Sequence, residues 1–242
     1  MKSINKALSV LALSTMTCFG AMADEAKEDV NYGDPTASFT TLGVSASKDN
    51  TQINGMYGAG ANIFQLDLTF KNKDGENTAR DGKAGDLSGR ARYFHVTDGL
   101  GYSVDVIGDQ NNQTVLGGMI YKFQVSDNVM VFPMLSVGGT QAKRFDDDAN
   151  KYTNKYDRSG LAQAGVYAMY AFDAGHWLYA NPKSTYHFKS KEFINQIEVG
   201  GGFMLAPQLS AGFKVEYTGE VKTEHGKMKE DTVAWLQANY YF

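Results

Sequence analysis

Apolar and polar residues take turns, one by one, along most of this chain. Phe64-Gln65-Leu66-Asp67-Leu68-Thr69-Phe70 alternates without a break. Leu100, Tyr102, Val104 and Val106 alternate with Gly101, Ser103 and Asp105. Leu209, Ala211, Phe213, Val215 and Tyr217 do so with Ser210, Gly212, Lys214 and Glu216. At the end, Ala234, Leu236, Ala238, Tyr240 and Phe242 alternate with Trp235, Gln237, Asn239 and Tyr241. A period of two puts one set of side chains on each face of a strand. No segment carries a capped 3.6-residue stripe, so the pattern predicts an all-β protein.

Counted back from Phe242, the alternation predicts strands near 231–242, 208–218, 192–206, 175–188, 159–173, 128–142, 113–125, 99–108, 86–97 and 62–71. Ahead of these, Thr40, Leu42, Val44 and Ala46 alternate with Thr41, Gly43 and Ser45. A short stretch, 52–57, then follows the turn signal Lys48-Asp49-Asn50. The expected total is twelve strands; ten with an N-terminal plug is the alternative. Tight turns fall at Thr97-Asp98-Gly99, Ser126-Asp127-Asn128, Asp173-Ala174-Gly175 and Ala206-Pro207-Gln208, where Gly, Asn, Asp and Pro suit the backbone. Between them lie polar connections at 71–86, 143–158 and 218–231, with shorter ones at 108–113 and 189–192. Short and long connections thus alternate, as they do between the two ends of a transmembrane β-barrel.

The first residues read as an address. Lys2 and Lys6 precede a short apolar run, 7–16, and Ala21-Met22-Ala23 offers a small-x-small cleavage site. We expect residues 1–23 to be a signal peptide and 24–242 the barrel. Cys18, the single cysteine, falls in the part to be removed, so no disulfide would hold the mature fold. The formal net charge of −4 becomes −6 once Lys2 and Lys6 are gone. An acidic chain lacks the basic surface that phosphate binding requires, so nucleic acid is not an expected partner.

A soluble barrel would alternate too, with its apolar face turned inward. Export, strands of membrane-crossing length and two classes of connection favour the opposite arrangement, with apolar residues on lipid and polar ones on the lumen. The end of the chain adds to this. Ala238, Tyr240 and Phe242 alternate up to a terminal aromatic, and here the chain resembles the outer-membrane β-barrel proteins of Gram-negative bacteria, in particular small porin-like ones. The resemblance implies an antiparallel up-and-down barrel, an outer-membrane location, lipid as its surroundings, and Tyr240 and Phe242 as a signal read by the barrel assembly machinery. Tyr102, Tyr121, Tyr170, Tyr186, Tyr217 and Tyr240 share the apolar parity, where a girdle at the lipid–water boundary would lie. A monomer is expected, because trimeric general porins are built from larger barrels.

On the other parity stand Asp67, Arg90, Arg92, Asp105, Lys122, Lys183, Glu198, Lys214 and Glu216. Their sign largely alternates from strand to strand. These charges would either line a pore and bias the passing solute, or form ion pairs that fill and stiffen the interior. Met130, Phe132 and Met134 also face inward by parity, to narrow the lumen, form an apolar track or pack against a folded-in loop. Asp146-Asp147-Asp148 lacks the spacing of a calcium loop, and no metal or cofactor is expected. His95, His176, His187 and His225 form no recognisable catalytic set; His187, with Ser184 and Ser190 nearby, is the one candidate for a lipid hydrolase. The reading is therefore a channel for passive diffusion of polar or charged solutes and not an enzyme. A structural or surface-interaction barrel with a plugged lumen is the alternative.

Overall fold

The structure, a computed structural model, describes residues 30–72, 87–97, 99–146, 151–223 and 226–242. The compact unit Asn31–Tyr241 holds all of the strands. In chain order these are β1 (Thr41–Ala46), β2 (Asn50–Ala59), β3 (Asn62–Lys71), β4 (Leu87–Thr97), β5 (Leu100–Gly108), β6 (Asn112–Tyr121) and β7 (Phe123–Gln124), the last continuing β6 past Lys122. Then come β8 (Val129–Asp146), β9 (Lys151–Ala171), β10 (Trp177–His187), β11 (Glu192–Ala206), β12 (Leu209–Thr218), the small hairpin β13 (Val221–Thr223) and β14 (Gly226–Met228), and β15 (Asp231–Tyr241).

Each barrel strand pairs antiparallel with its neighbours in sequence, and two further ladders complete the ring. β6 joins β8, and β1 joins β15 from Thr41↔Tyr241 to Ala46↔Leu236. Apart from β7, β13 and β14, twelve strands form a closed antiparallel barrel. Closure pairs the backbone groups that an open sheet edge would leave bare in hydrocarbon, at a cost of several kcal/mol each. Strands such as β2, β3, β6 and β12 have 10 residues; at about 3.3 Å per residue and a tilt near 40°, that length covers about 25 Å of bilayer.

The outward face is the apolar parity. Leu66, Val104, Val137, Phe203 and Leu236 stand exposed on it, Leu236 at 73%, and Tyr102, Tyr121, Tyr170 and Tyr217 are exposed on the same parity. This is a transmembrane β-barrel with its oily side out. The turns at the end where β1 begins and β15 finishes are tight, and Gly99 and Gly175 use positive φ to make two of them. Asp98 of the predicted turn, the predicted signal peptide 1–23, most of the 71–86 connection, Asp147, Asp148 and His225 lie outside the described residues.

One expectation needs correction. The stretch 143–158 is no simple loop: β8 runs to Asp146 and β9 starts at Lys151, making strands of 18 and 21 residues. Beyond the membrane rim both faces of a hairpin meet water, so the two-residue signal fades there while backbone pairing continues. The expected total of twelve strands holds, and residues 31–40 in addition enter the lumen ahead of β1.

Orientation gives a direct test. Leu236→Arg places a charge near the middle of β15 on the lipid face, and should cost about 2–4 kcal/mol in reversible urea unfolding from vesicles. Stability equal to that of Leu236→Ala would mean that this face does not meet hydrocarbon.

Candidate functional site

The lumen has two layers, each set by which residues fall on the inward parity at that height. Toward the tight-turn end these residues are apolar. Ile63, Phe94, Ile120, Met130, Phe132, Met169, Trp177 and Tyr241 are buried in one cluster, with Phe132 fully buried. Toward the loop end they are polar, and neutral pairs link neighbouring strands directly across the ladders. Gln52 donates to Thr69, Gln163 to Thr185 and Gln196 to Thr218, while Thr114 and Thr140 share a bond at 2.9 Å.

Lys122 apart, the predicted charges sit between these layers, and most of them meet. Arg90 Nε donates to Asp105 Oδ1 at 2.8 Å, and Arg92 donates to the same oxygen. Asp105 is buried, so one carboxylate answers two guanidinium groups, a charge-assisted arrangement stronger than neutral bonding. Across the ring, Lys214 bonds Glu216 at 2.9 Å, and the indole of Trp235 donates to the other Glu216 oxygen at 2.8 Å. Glu198 lies opposite Glu216 in register and accepts the Tyr179 hydroxyl at 2.7 Å. Lys183 adds its charge in the field of Arg90, Glu198, Glu216 and Lys214. Asp67 is opposite Arg90 in register, buried, and accepts from Gln65; its Oδ1 has no hydrogen-bond partner among the described residues. Lys122 stands apart at the tight-turn end, where it pairs with Asp34 of the N-terminal segment.

Asp67, Arg92, Glu198 and Tyr179 border a cavity of ≈ 260 Å³, with Asn54, Gln65, Gln237 and Asn239 among its other walls and Tyr32, Gly33, Asp34 and Phe39 on its segment side. The pairs found here are finer than the sequence shows. Parity gave the facing direction of each charge, but which carboxylate a flexible Arg or Lys reaches depends on strand stagger. Asp34 and the Gln–Thr pairs carried no signal of their own, since an isolated polar residue on a strand reads as background.

The histidines serve locally. His95 Nδ1 lies 3.1 Å from Asn62 Oδ1, and the His176 ring accepts the Met204 backbone N–H at 2.9 Å. His187 ends β10, and among the described residues no hydroxyl hydrogen-bonds its ring.

No family model matches this chain, and no curated protein matches it. Solved structures do. The NanC porin superposes with a TM-score of 0.58 at 7% identity, over 85% of this chain and 100% of that one. The KdgM porin superposes with a TM-score of 0.53 at 6% identity, over 84% and 98%. The fold is that of outer-membrane porins.

Outside the membrane, the long β8–β9 hairpin is braced by an ion trio. Asp157 accepts from Arg144 at 2.9 Å and from Lys189 at 2.7 Å. These hydrogen bonds, Arg144's first, hold the Asp157 carboxyl well below the usual carboxylate range. A carboxyl whose folded-state pKa is depressed stabilises fully above its unfolded value of about 3.9, and the contribution fades as the pH falls below that. Hydrogen exchange in the hairpin, corrected for the intrinsic rate, should therefore be unchanged between neutral pH and about pH 5. Asp157→Asn should loosen it at neutral pH; identical protection in that variant would show that the trio adds nothing.

Proposed function

We propose that this protein is an outer-membrane channel through which small polar solutes diffuse passively. One observation carries the reading: the barrel turns a polar, charged and partly open interior away from lipid, at twelve strands a width that leaves room for a lumen. The nine charges named from the sequence are then the groups that replace part of a solute's hydration shell and set its charge preference.

Their balance limits that preference. Arg90, Arg92, Lys122, Lys183 and Lys214 are matched by Asp34, Asp67, Asp105, Glu198 and Glu216, and the contacts between them leave little unpaired positive charge. The KdgM porin has been solved in complex with disordered oligogalacturonate. A polyanion of that sort calls for a basic lining, which the balanced interior here does not supply. Small solutes, neutral or carrying either sign, fit it better.

The rest of the reading belongs to the same proposal. The precursor is cleaved after Ala23, Tyr240 and Phe242 are read by the assembly machinery, and the mature barrel is a monomer surrounded by outer-membrane lipid. A plugged structural barrel is the second reading, and the segment inside the lumen favours it.

Planar-bilayer recording separates the two. The channel reading expects discrete current steps and a weak ion preference. Arg90→Glu reverses one charge and leaves Asp105 facing a like charge, so the cation-to-anion permeability ratio should rise by roughly threefold or more. Purified barrel that inserts and never conducts, under any of the conditions described below, would defeat the channel.

A further inference from the structure

Residues 31–40 cross the lumen from wall to wall. The Tyr32 ring stacks on Tyr241 of β15 at 3.7 Å, while Asp34 pairs with Lys122 at the end of β6. In the ring of strands, β15 and β6 lie six places apart in either direction, so these two anchors are diametrically opposed. Between them, Gly33 meets the remaining wall. Its carbonyl accepts the Tyr167 hydroxyl at 2.8 Å, and a side chain at Gly33 would run into the Trp177 indole. On another side, the backbone at Phe39 lies so close to Gly58 of β2 that a Cβ there would sit 2.6 Å from the Phe39 nitrogen.

The segment makes its own shape. Gly33 N–H bonds the Asn31 side chain, Thr36 bonds the Asp34 carboxylate through its N–H and its hydroxyl, and the Asp34 and Ala37 amides close turns onto Asn31 and Asp34. It forms no strand with the wall. Among the described residues, its hold on the wall consists of one ion pair, one phenol hydrogen bond, aromatic stacking and close packing at Gly33 and Phe39. A self-contained turn held by side chains leaves its seat without breaking any rung of the barrel, whereas a paired strand does not.

We infer that residues 31–40 are a displaceable gate: seated, they close the tight-turn end of the lumen, and solute crosses only when they swing out. The inference rests on the channel reading, and it reconciles a polar, charge-lined interior with an end that is packed shut. The Asp34–Lys122 pair is its latch, and Trp177 with Gly33 its seat.

The test locks the seat covalently. An ideal Cβ at Gly33 lies 2.9 Å from the Trp177 Cβ, so the segment must back away by about 1 Å to reach the roughly 3.5–4.5 Å span of a disulfide, which removal of the indole permits. In mature protein without its own cysteine, Gly33→Cys with Trp177→Cys should conduct when reduced and fall silent when oxidised, reversibly, while each single variant ignores the oxidant. Lys122→Gln, which frees the latch, should raise the open fraction by roughly tenfold. Folding of each variant is checked by the heat-dependent gel mobility of the barrel. A fully cross-linked barrel that conducts like its reduced form overturns the gate and leaves the channel standing. A folded barrel lacking residues 31–39 that passes no current overturns the channel, and the gate with it.

Discussion

A backbone amide in hydrocarbon has nothing to bond except another backbone group, and the rest of this structure follows from that. The ladder must return to its start, which β1 and β15 do by pairing across the two ends of the chain. Once it closes, every strand has an inside and an outside, and the two-residue period assigns each side chain to one of them. The outside is selected by lipid and is mainly apolar, Ser184 and Asn195 meeting their own polar needs by a hydrogen bond to each other. The inside is free of that demand, so its chemistry reports on something other than solvation by the bilayer.

What the inside shows is division of labour by height. Its tight-turn end is packed like the core of a soluble protein, with Phe132, Ile63 and Ile120 buried against neighbours from several strands. Its loop end is polar and held by amide–hydroxyl pairs, with the ion pairs beneath them. Trp177, the first residue of β10, anchors the apolar end: glycine on β11 makes the room it needs, because a Cβ at Gly202 would overlap its ring, and Gly33 of the inserted segment lies against the same indole. Asp105 of β5, taking both Arg90 and Arg92 of β4, ties two neighbouring strands of the charged layer through one group.

Much of this was legible in the sequence because lipid enforces a pattern over whole strands. The twelve-strand count, the facing direction of Leu66 or Arg90, and the sorting of connections all come from alternation and turn chemistry. The extent of β8 and β9 did not, since at Lys143 or Tyr156 no lipid remains to select one face. Nor did the seating of residues 31–40. Tyr32, Asp34 and Phe39 show no period, and their partners Tyr241, Lys122 and Trp177 are distant in the chain, brought together only when the ring closes. Met130, Phe132 and Met134 gave a hint, apolar residues on a parity that should be wet, with packing against a folded-in loop among the readings they allowed, and an N-terminal plug stood as the alternative to two further strands. The cleavage site and the assembly signal rest on sequence alone.

The extended hairpin has a consequence for how the outer mouth meets its surroundings. β8 and β9 climb past their neighbours, for the β6 ladder with β8 stops at Ala142 and the β10 ladder with β9 at Leu161. Straight across the ring stand β1 and β2, joined by the brief turn 47–49. Among the described residues the rim is therefore a parapet on one side and a low sill on the other. Along this described part of the rim, anything bulky arriving from the medium meets the parapet first, and the turn between β1 and β2 offers it the least obstruction.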